Sequence, residues 1–159
     1  MAIIGTRIDG RLIHGQVANL WSTSLKISRI MVIDDEVAKN DIEKAGLKLA
    51  CPPGVKLSIL PVEKAAANIL AGNYDSQRLF IVARYPDRFL KLVEHGVPLE
   101  ALNVGNMSAT PETRSITRTI HVTDKDVEDF KALAAKGVKL TQQMVPNDPV
   151  AEFLPLLDK

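Results

Sequence analysis

The run Ile27-Ser28-Arg29-Ile30-Met31-Val32-Ile33 is followed by apolar residues at Ala38, Ile42, Ala45 and Leu49. Cys51-Pro52-Pro53-Gly54 comes next, and then Lys56-Leu57-Ser58-Ile59-Leu60. The first and last of these segments are short and apolar throughout, as strands buried on both faces are. The residues between them recur at helical spacing, and Pro-Pro-Gly is a stop signal. The stretch reads as strand, helix, strand, the unit of a parallel sheet.

The same alternation runs outward in both directions. Ile3 to Ile8, Leu79 to Ala83 and Leu102 to Val104 are further strand-like runs. Val62, Ala65, Ala66, Ile69 and Leu70 form a helical stripe ended by Gly72-Asn73. Pro86 suits a first helical turn, with Phe89, Leu90 and Val93 behind it and Gly96 after the last turn. Thr123 is a good N-cap, with Asp124 and Asp126 in the first turn and Gly137 beyond the end. Ile116 to Val122 and Val138 to Val145 mix Thr and Gln with β-branched residues and read as edge or half-exposed strands. Val150 to Leu157 reads as a final short helix. Strand and helix in repeated alternation predict a doubly wound α/β sheet, with ligands beyond the carboxyl ends of its strands.

Composition narrows the function. The 159 residues suit one domain, and 46% hydrophobic with 25% charged residues suits a soluble globular chain. Net charge is +1, and aromatics are 4%, which argues against a generally basic or base-stacking nucleic-acid binder. One cysteine, Cys51, supports neither an internal disulfide nor a cysteine-rich metal site. No basic region followed by an apolar run opens the sequence, and no apolar stretch approaches membrane-spanning length, so a cytoplasmic location is expected.

The carboxyl end of the first strand holds the chemistry. It reads Arg7-Ile8-Asp9-Gly10-Arg11-Leu12-Ile13-His14-Gly15-Gln16-Val17, with a helix pattern starting near Gly15. A histidine delivered to a helix start meets free backbone N–H groups and the positive end of the dipole. Arginines can fork onto phosphate oxygens, and glycine permits close backbone approach. This suits binding a phosphoryl group or carrying one on His14. The glycine spacing from Gly5 to Leu12 resembles a P-loop, but Arg11 replaces the required Lys and Leu12 the required Ser or Thr. No dinucleotide glycine pattern follows a strand. The residues alone leave another reading open, in which His14 is a solvated loop residue and Arg7, Asp9 and Arg11 form a surface ion-pair cluster.

The segment Arg7 to Val17 resembles the active-site loop of IIB components of the mannose-type sugar phosphotransferase system, the mannose/fructose/sorbose/N-acetylgalactosamine branch. The family pattern R-x-D-x-R-L-I-H-G-Q-V is met by Arg7, Asp9, Arg11, Leu12, Ile13, His14, Gly15, Gln16 and Val17. The likeness continues at Trp21, at Asp34 to Ala38, at Leu102 to Met107, and at Gly137 to Lys139 with Val145-Pro146. One departure is Gly10, where the family often has a second acidic residue.

The resemblance implies one IIB domain over residues 1–159. With the fold it implies, the expectation is a three-layer α/β/α architecture with a mostly parallel sheet of about seven strands and an antiparallel edge. It also implies a phosphorelay, the activity of a protein-N(pi)-phosphohistidine–sugar phosphotransferase. A separate IIA phosphodonor passes its phosphoryl group to Nδ1 of His14, which hands it to a sugar entering through a IIC/IID membrane permease. Arg11 and Asp9 are then catalytic beside His14. Arg7, Gly10, Gly15, Gln16, Asp35, Arg84, Asn103 and Gly105 are expected to bind the phosphoryl group or a partner. No metal or cofactor is needed and no nucleic-acid partner is expected. The location is cytoplasmic, peripheral to the permease, and a homodimer is an open alternative. Overall similarity leans toward an amino sugar such as N-acetylgalactosamine. The competing class is a non-catalytic α/β regulatory module that binds an anionic or phosphorylated ligand.

His95 suits a helix-end cap and His121 a structural strand position. Trp21 reads as core, Lys125 to Lys131 as a solvated helix face, and Asn106 and Met107 as rim residues near His14.

Overall fold

The computed structural model describes residues 3–158. Six strands run parallel in the order β3 (Lys56–Leu60), β2 (Arg29–Ile33), β4 (Leu79–Ala83), β1 (Ile3–Asp9), β5 (Ala101–Asn106) and β8 (Lys139–Gln142). β9 (Ala151–Glu152) closes the sheet antiparallel to β8. This is the doubly wound sheet that the alternation predicts, with the antiparallel edge expected from the family resemblance. β4 is buried along its whole length, which explains its unbroken apolar sequence.

Helices cover the two faces unequally. Trp21 of α1 (Gly15–Leu25) and Leu47 of α2 (Asp41–Ala50) join Ile30, Val32, Phe80 and Val82 in one cluster. The larger cluster takes Ala65 and Ile69 of α3 (Val62–Leu70), Phe89 and Leu92 of α4 (Pro86–Glu94), and Phe130 and Leu133 of α5 (Asp124–Ala135). Three helices thus line one face and two the other. Thr123 caps α5 in a capping box with Asp126, and Gly96 takes φ 98° just beyond the α4 C-cap, His95.

Several expectations need correction. Ile116 to Val122 is not one strand: β6 (Arg114–Ser115) and β7 (His121–Val122) form a separate antiparallel ribbon. Ile120 and Val122 read as strand because both are fully buried, and Met107 bridges to Ile120. Val150 to Leu157 is not a helix throughout. Ala151 and Glu152 pair with β8, and a 3-10 turn covers Leu154–Asp158. Phe153 packs edge-on against Phe130 at 4.8 Å, which fixes this segment to the core. In α2 the predicted stripe points the wrong way. Ala38 lies in a 3-10 turn before Asn40, the N-cap, while Ile42 and Leu49 are 86% and 90% exposed. Leu47 alone of α2 is buried, and Glu43 pairs with Arg84 at 3.4 Å.

Candidate functional site

β1 ends at Asp9, and the chain then turns through Gly10 to Ile13 into α1. Gly10 N–H donates to the Asn106 carbonyl at 2.9 Å, which ties the loop to the end of β5. A Cβ on Gly10 would sit 2.8 Å from Ser108 Oγ, so a larger residue here requires the serine side chain to shift. Leu12 takes φ 62°, a left-handed conformation unusual for leucine, and its buried side chain holds the turn against the α1 cluster.

His14 is the N-cap of α1 in extended conformation and is exposed. Its ring makes no capping hydrogen bond, and no acidic side chain stands in the first turn. The N–H groups of that turn and the positive dipole end therefore face whatever anion meets His14. Gly15 adjoins the end of α2, with the Ala50 carbonyl 3.9 Å from where a Cβ would be. Gln16 is exposed on α1 beside His14.

Beneath the loop lies a buried carboxylate, Asp9, shared by two arginines. Oδ1 accepts from Arg11 N–H at 2.9 Å and from Arg11 Nε at 3.0 Å. Oδ2 accepts from Arg11 Nη2 at 3.1 Å and from Arg7 Nε and Nη2 at 3.4 and 3.3 Å. All these bonds go to arginine and none to His14, so Asp9 aims the guanidinium of Arg11.

Arg7 is only 2% exposed and lies under the loop. Its Nη1 donates to the Gln143 carbonyl at 2.8 Å, and its guanidinium sits 5.3 Å over the Trp21 ring. Gly105 makes room for it, because a Cβ there would come within 2.1 Å of Arg7 Nη2. Burial pushes the Arg7 pKa down from its ordinary value, with Asp9 opposing the shift. Asn103 Nδ2 donates to the same Gln143 carbonyl at 3.1 Å, and its buried Oδ1 has no partner among the described residues.

Arg84 reaches the loop from β4, donating from Nε to the Gly10 carbonyl at 3.1 Å. Asp35 does not join the cluster. Its Oδ1 accepts the Val62 N–H at 2.9 Å and supports the start of α3, whose N-cap is Pro61. Asp9, Arg11, Arg7, Gly10, Arg84 and Gly105 are therefore brought together around the loop, Asn103 lies below them, and Asp35 belongs to another element.

Sequence reasoning missed Gln143 and Met144. Trp21 Nε1 donates to the Met144 carbonyl at 3.1 Å, and Met144 Sδ lies 3.5 Å from Arg7 Nη2 and 3.7 Å from Arg11 Nη2. These contacts span up to 137 positions, and no local pattern announces them. A cavity of about 500 Å³ opens between α1 and the part of the sheet that α1 leaves bare. It shares Trp21 with the site but contains neither His14 nor Arg11.

Known proteins resemble this chain over nearly its whole length. The family model described as PTS system sorbose subfamily IIB component matches residues 3–159. The chain is 38% identical to the PTS system sorbose-specific EIIB component of Lacticaseibacillus casei, covering 100% of this chain and 97% of that one. It is 36% identical to the mannose-specific EIIAB component of Escherichia coli K12, covering 99% of this chain and 49% of that longer protein. The crystal structure of the IIBSor domain of the sorbose permease from Klebsiella pneumoniae superposes with a TM-score of 0.95 at 33% identity, covering 99% and 97% of the two chains. The loop that carries His14 thus stands in a chain that belongs to the sorbose-subfamily IIB components of the sugar phosphotransferase system.

Proposed function

We propose that this chain is a phosphocarrier that takes a phosphoryl group from a IIA phosphohistidine onto His14 and passes it to an incoming sugar. The observation that carries the reading is an exposed histidine at a helix N-cap beside an arginine fork fixed by a buried carboxylate. In the first step the P–N bond of the donor histidine breaks as a P–N bond to Nδ1 of His14 forms. In the second that bond breaks, a P–O bond to a sugar hydroxyl forms, and the hydroxyl proton ends on the freed ring nitrogen of His14. Transfer of this kind needs in-line positioning and charge stabilisation more than covalent chemistry from the protein.

Arg11 contacts the equatorial oxygens, and the first-turn N–H groups share their charge. Arg84, Gly10, Gly15 and Gln16 shape the surface on which a partner brings its histidine to the ring. The IIB domain acts here with a IIA donor and a IIC/IID permease, on the cytoplasmic side and peripheral to the permease. Among the described residues no helix is long and apolar enough to cross a membrane. The relatives named for sorbose and mannose are nearly equally similar, so the sugar is assigned to the permease.

NMR titration of the labelled chain with a IIA protein tests the geometry. Shifts are expected in the Arg7 to Gly15 loop and at Arg84, weakening as salt rises because the arginines steer an acidic surface. Shifts confined to the Lys125 to Lys136 face would sink the reading.

A further inference from the structure

We propose that Arg7 is a positioning residue whose charge keeps Arg11 available to an anion, by sharing the carboxylate that would otherwise neutralise Arg11. The inference rests on the phosphocarrier reading and adds a role for a side chain that cannot touch the phosphoryl group. Arg11 and Asp9 alone make a closed ion pair: Nε and Nη2 of Arg11 lie 3.0 and 3.1 Å from the two carboxylate oxygens. Such a pair carries no net charge and attracts a phosphoryl group weakly. Arg7 adds a second guanidinium to Oδ2 of the same carboxylate. Two positive charges against one negative leave one positive charge uncompensated.

That charge is expressed where the cluster meets solvent. The Arg7 side chain is 3% exposed and that of Arg11 is 34% exposed. The surroundings of Arg7 serve this placement. Gly105 leaves the space, the Trp21 ring lies under the guanidinium, and the Gln143 carbonyl accepts from Nη1. A guanidinium stays charged at any physiological pH, so burial does not remove its contribution.

The experiment uses the full chain and phosphoramidate, a small phosphodonor, so that no partner protein enters. The P–N bond of phosphoramidate breaks, a P–N bond to His14 forms, and the ring proton leaves with the departing ammonia as ammonium. Mass spectrometry follows the rate of phosphoryl gain. Arg7→Met is expected to slow the gain about tenfold or more, as loss of charge stabilisation does. In the Arg11→Met background the same change should cost nothing further, because Arg7 acts through Arg11. Adding Asp9→Asn to Arg7→Met should restore part of the rate, since Arg11 again carries an uncompensated charge while losing one of the oxygens that aim it.

A merely structural role gives the opposite pattern, with a further loss in the Arg11→Met background and no recovery with Asp9→Asn. Either result overturns the proposal. Arg7→Lys keeps the test alive if Arg7→Met does not fold. It retains the charge and should keep most of the rate, and a folded Arg7→Lys as slow as Arg11→Met overturns the proposal. A wild-type chain that gains no phosphoryl group on His14 overturns the phosphocarrier reading and this role together. A wild type that gains it, with independent losses at Arg7 and Arg11, overturns the role of Arg7 alone.

Discussion

Two arginine–aspartate clusters stand at the carboxyl rim of the sheet, one after β1 and one after β2. Each has a buried aspartate, Asp9 or Asp34, and each has an arginine over an aromatic ring. Arg7 lies 5.3 Å from Trp21 and Arg88 lies 5.1 Å from Tyr85. They differ in charge. The first cluster has two arginines around one carboxylate. The second has one arginine between two carboxylates, Asp34 at 3.1 Å and Asp87 at 2.7 Å. For Arg7 burial wins and the pKa falls. For Arg88 burial also pulls downward, but hydrogen bonds and charges from Asp87 and Asp34 outweigh it and the pKa rises.

The second cluster is spent on local structure. Asp34 Oδ1 accepts the N–H groups of Glu36 and Val37 at 2.9 and 3.0 Å, fixing the turn after β2. Among the described residues no histidine hydrogen-bonds to Asp34 or Arg88. Similar residues at equivalent strand ends therefore divide into a cation-rich centre in the loop that carries His14 and an anion-rich brace. Net charge and an exposed histidine distinguish them, and ion-pair geometry does not.

The harshest way to break the contrast is to remove the nucleophile. His14→Gln should abolish phosphoryl acceptance from a phosphorylated IIA protein while circular dichroism stays unchanged. A variant that still gained an acid-labile phosphoryl group would show that the carrier is another residue. Arg11→Ala comes next. Losing a charge-assisted contact in the transition state should cost about 2–4 kcal/mol, or tens- to several-hundred-fold in transfer rate. Arg11→Lys should lose less, because it keeps the charge and forfeits only the fork. Rapid-quench rates equal to wild type for Arg11→Ala would make it a surface residue.

Arg88→Met probes the brace. It leaves Asp34 buried without its cation and should destabilise the fold by about 2–4 kcal/mol in denaturant unfolding. Transfer by the folded fraction should be unchanged, and a lost rate would erase the distinction between the clusters.

The smallest expected effect is at Asp126. Burial raises its pKa above the ordinary 3.8, and the charges of Asp129 and Asp87 add to the rise, while hydrogen bonds from Thr123 oppose it. A carboxyl with a raised pKa in the folded state favours folding in its protonated form. That contribution is full below 3.8 and is lost as pH rises through the raised value. Asp126→Asn should therefore gain slight stability near neutral pH, and the gain should vanish in acid. Thermal unfolding across that range measures it, and a stability loss at neutral pH would reverse the sign.

The doubly wound architecture was readable because a sheet covered on both faces needs apolar runs such as Leu79 to Ala83, and a sheet face needs striped helices such as Val62 to Leu70. The reading failed where neighbours decide orientation. Nothing in Ile42, Ala45 and Leu49 says that the sheet takes Leu47 instead. Nothing in Ile120 and Val122 separates a buried ribbon from a sheet strand. At the site, residues contiguous in sequence were found together: His14, Arg11 and Asp9 share one loop. The burial of Arg7 depends on Gly105, Gln143 and Met144, which no pattern near Arg7 announces. The bond from the Val62 N–H to Asp35 is likewise a property of the fold.

The position of β1 has a consequence for the order in which the chain is made. β1 emerges first, yet its neighbours in the sheet are β4 and β5, and Arg7 finds the Gln143 carbonyl only 136 residues later. A nascent chain therefore carries its first strand unpaired until Leu79–Ala83 has been synthesised, and such non-local pairing forms slowly. A ribosome stalled before Gln143 would display the His14 loop with its supporting arginine still unanchored.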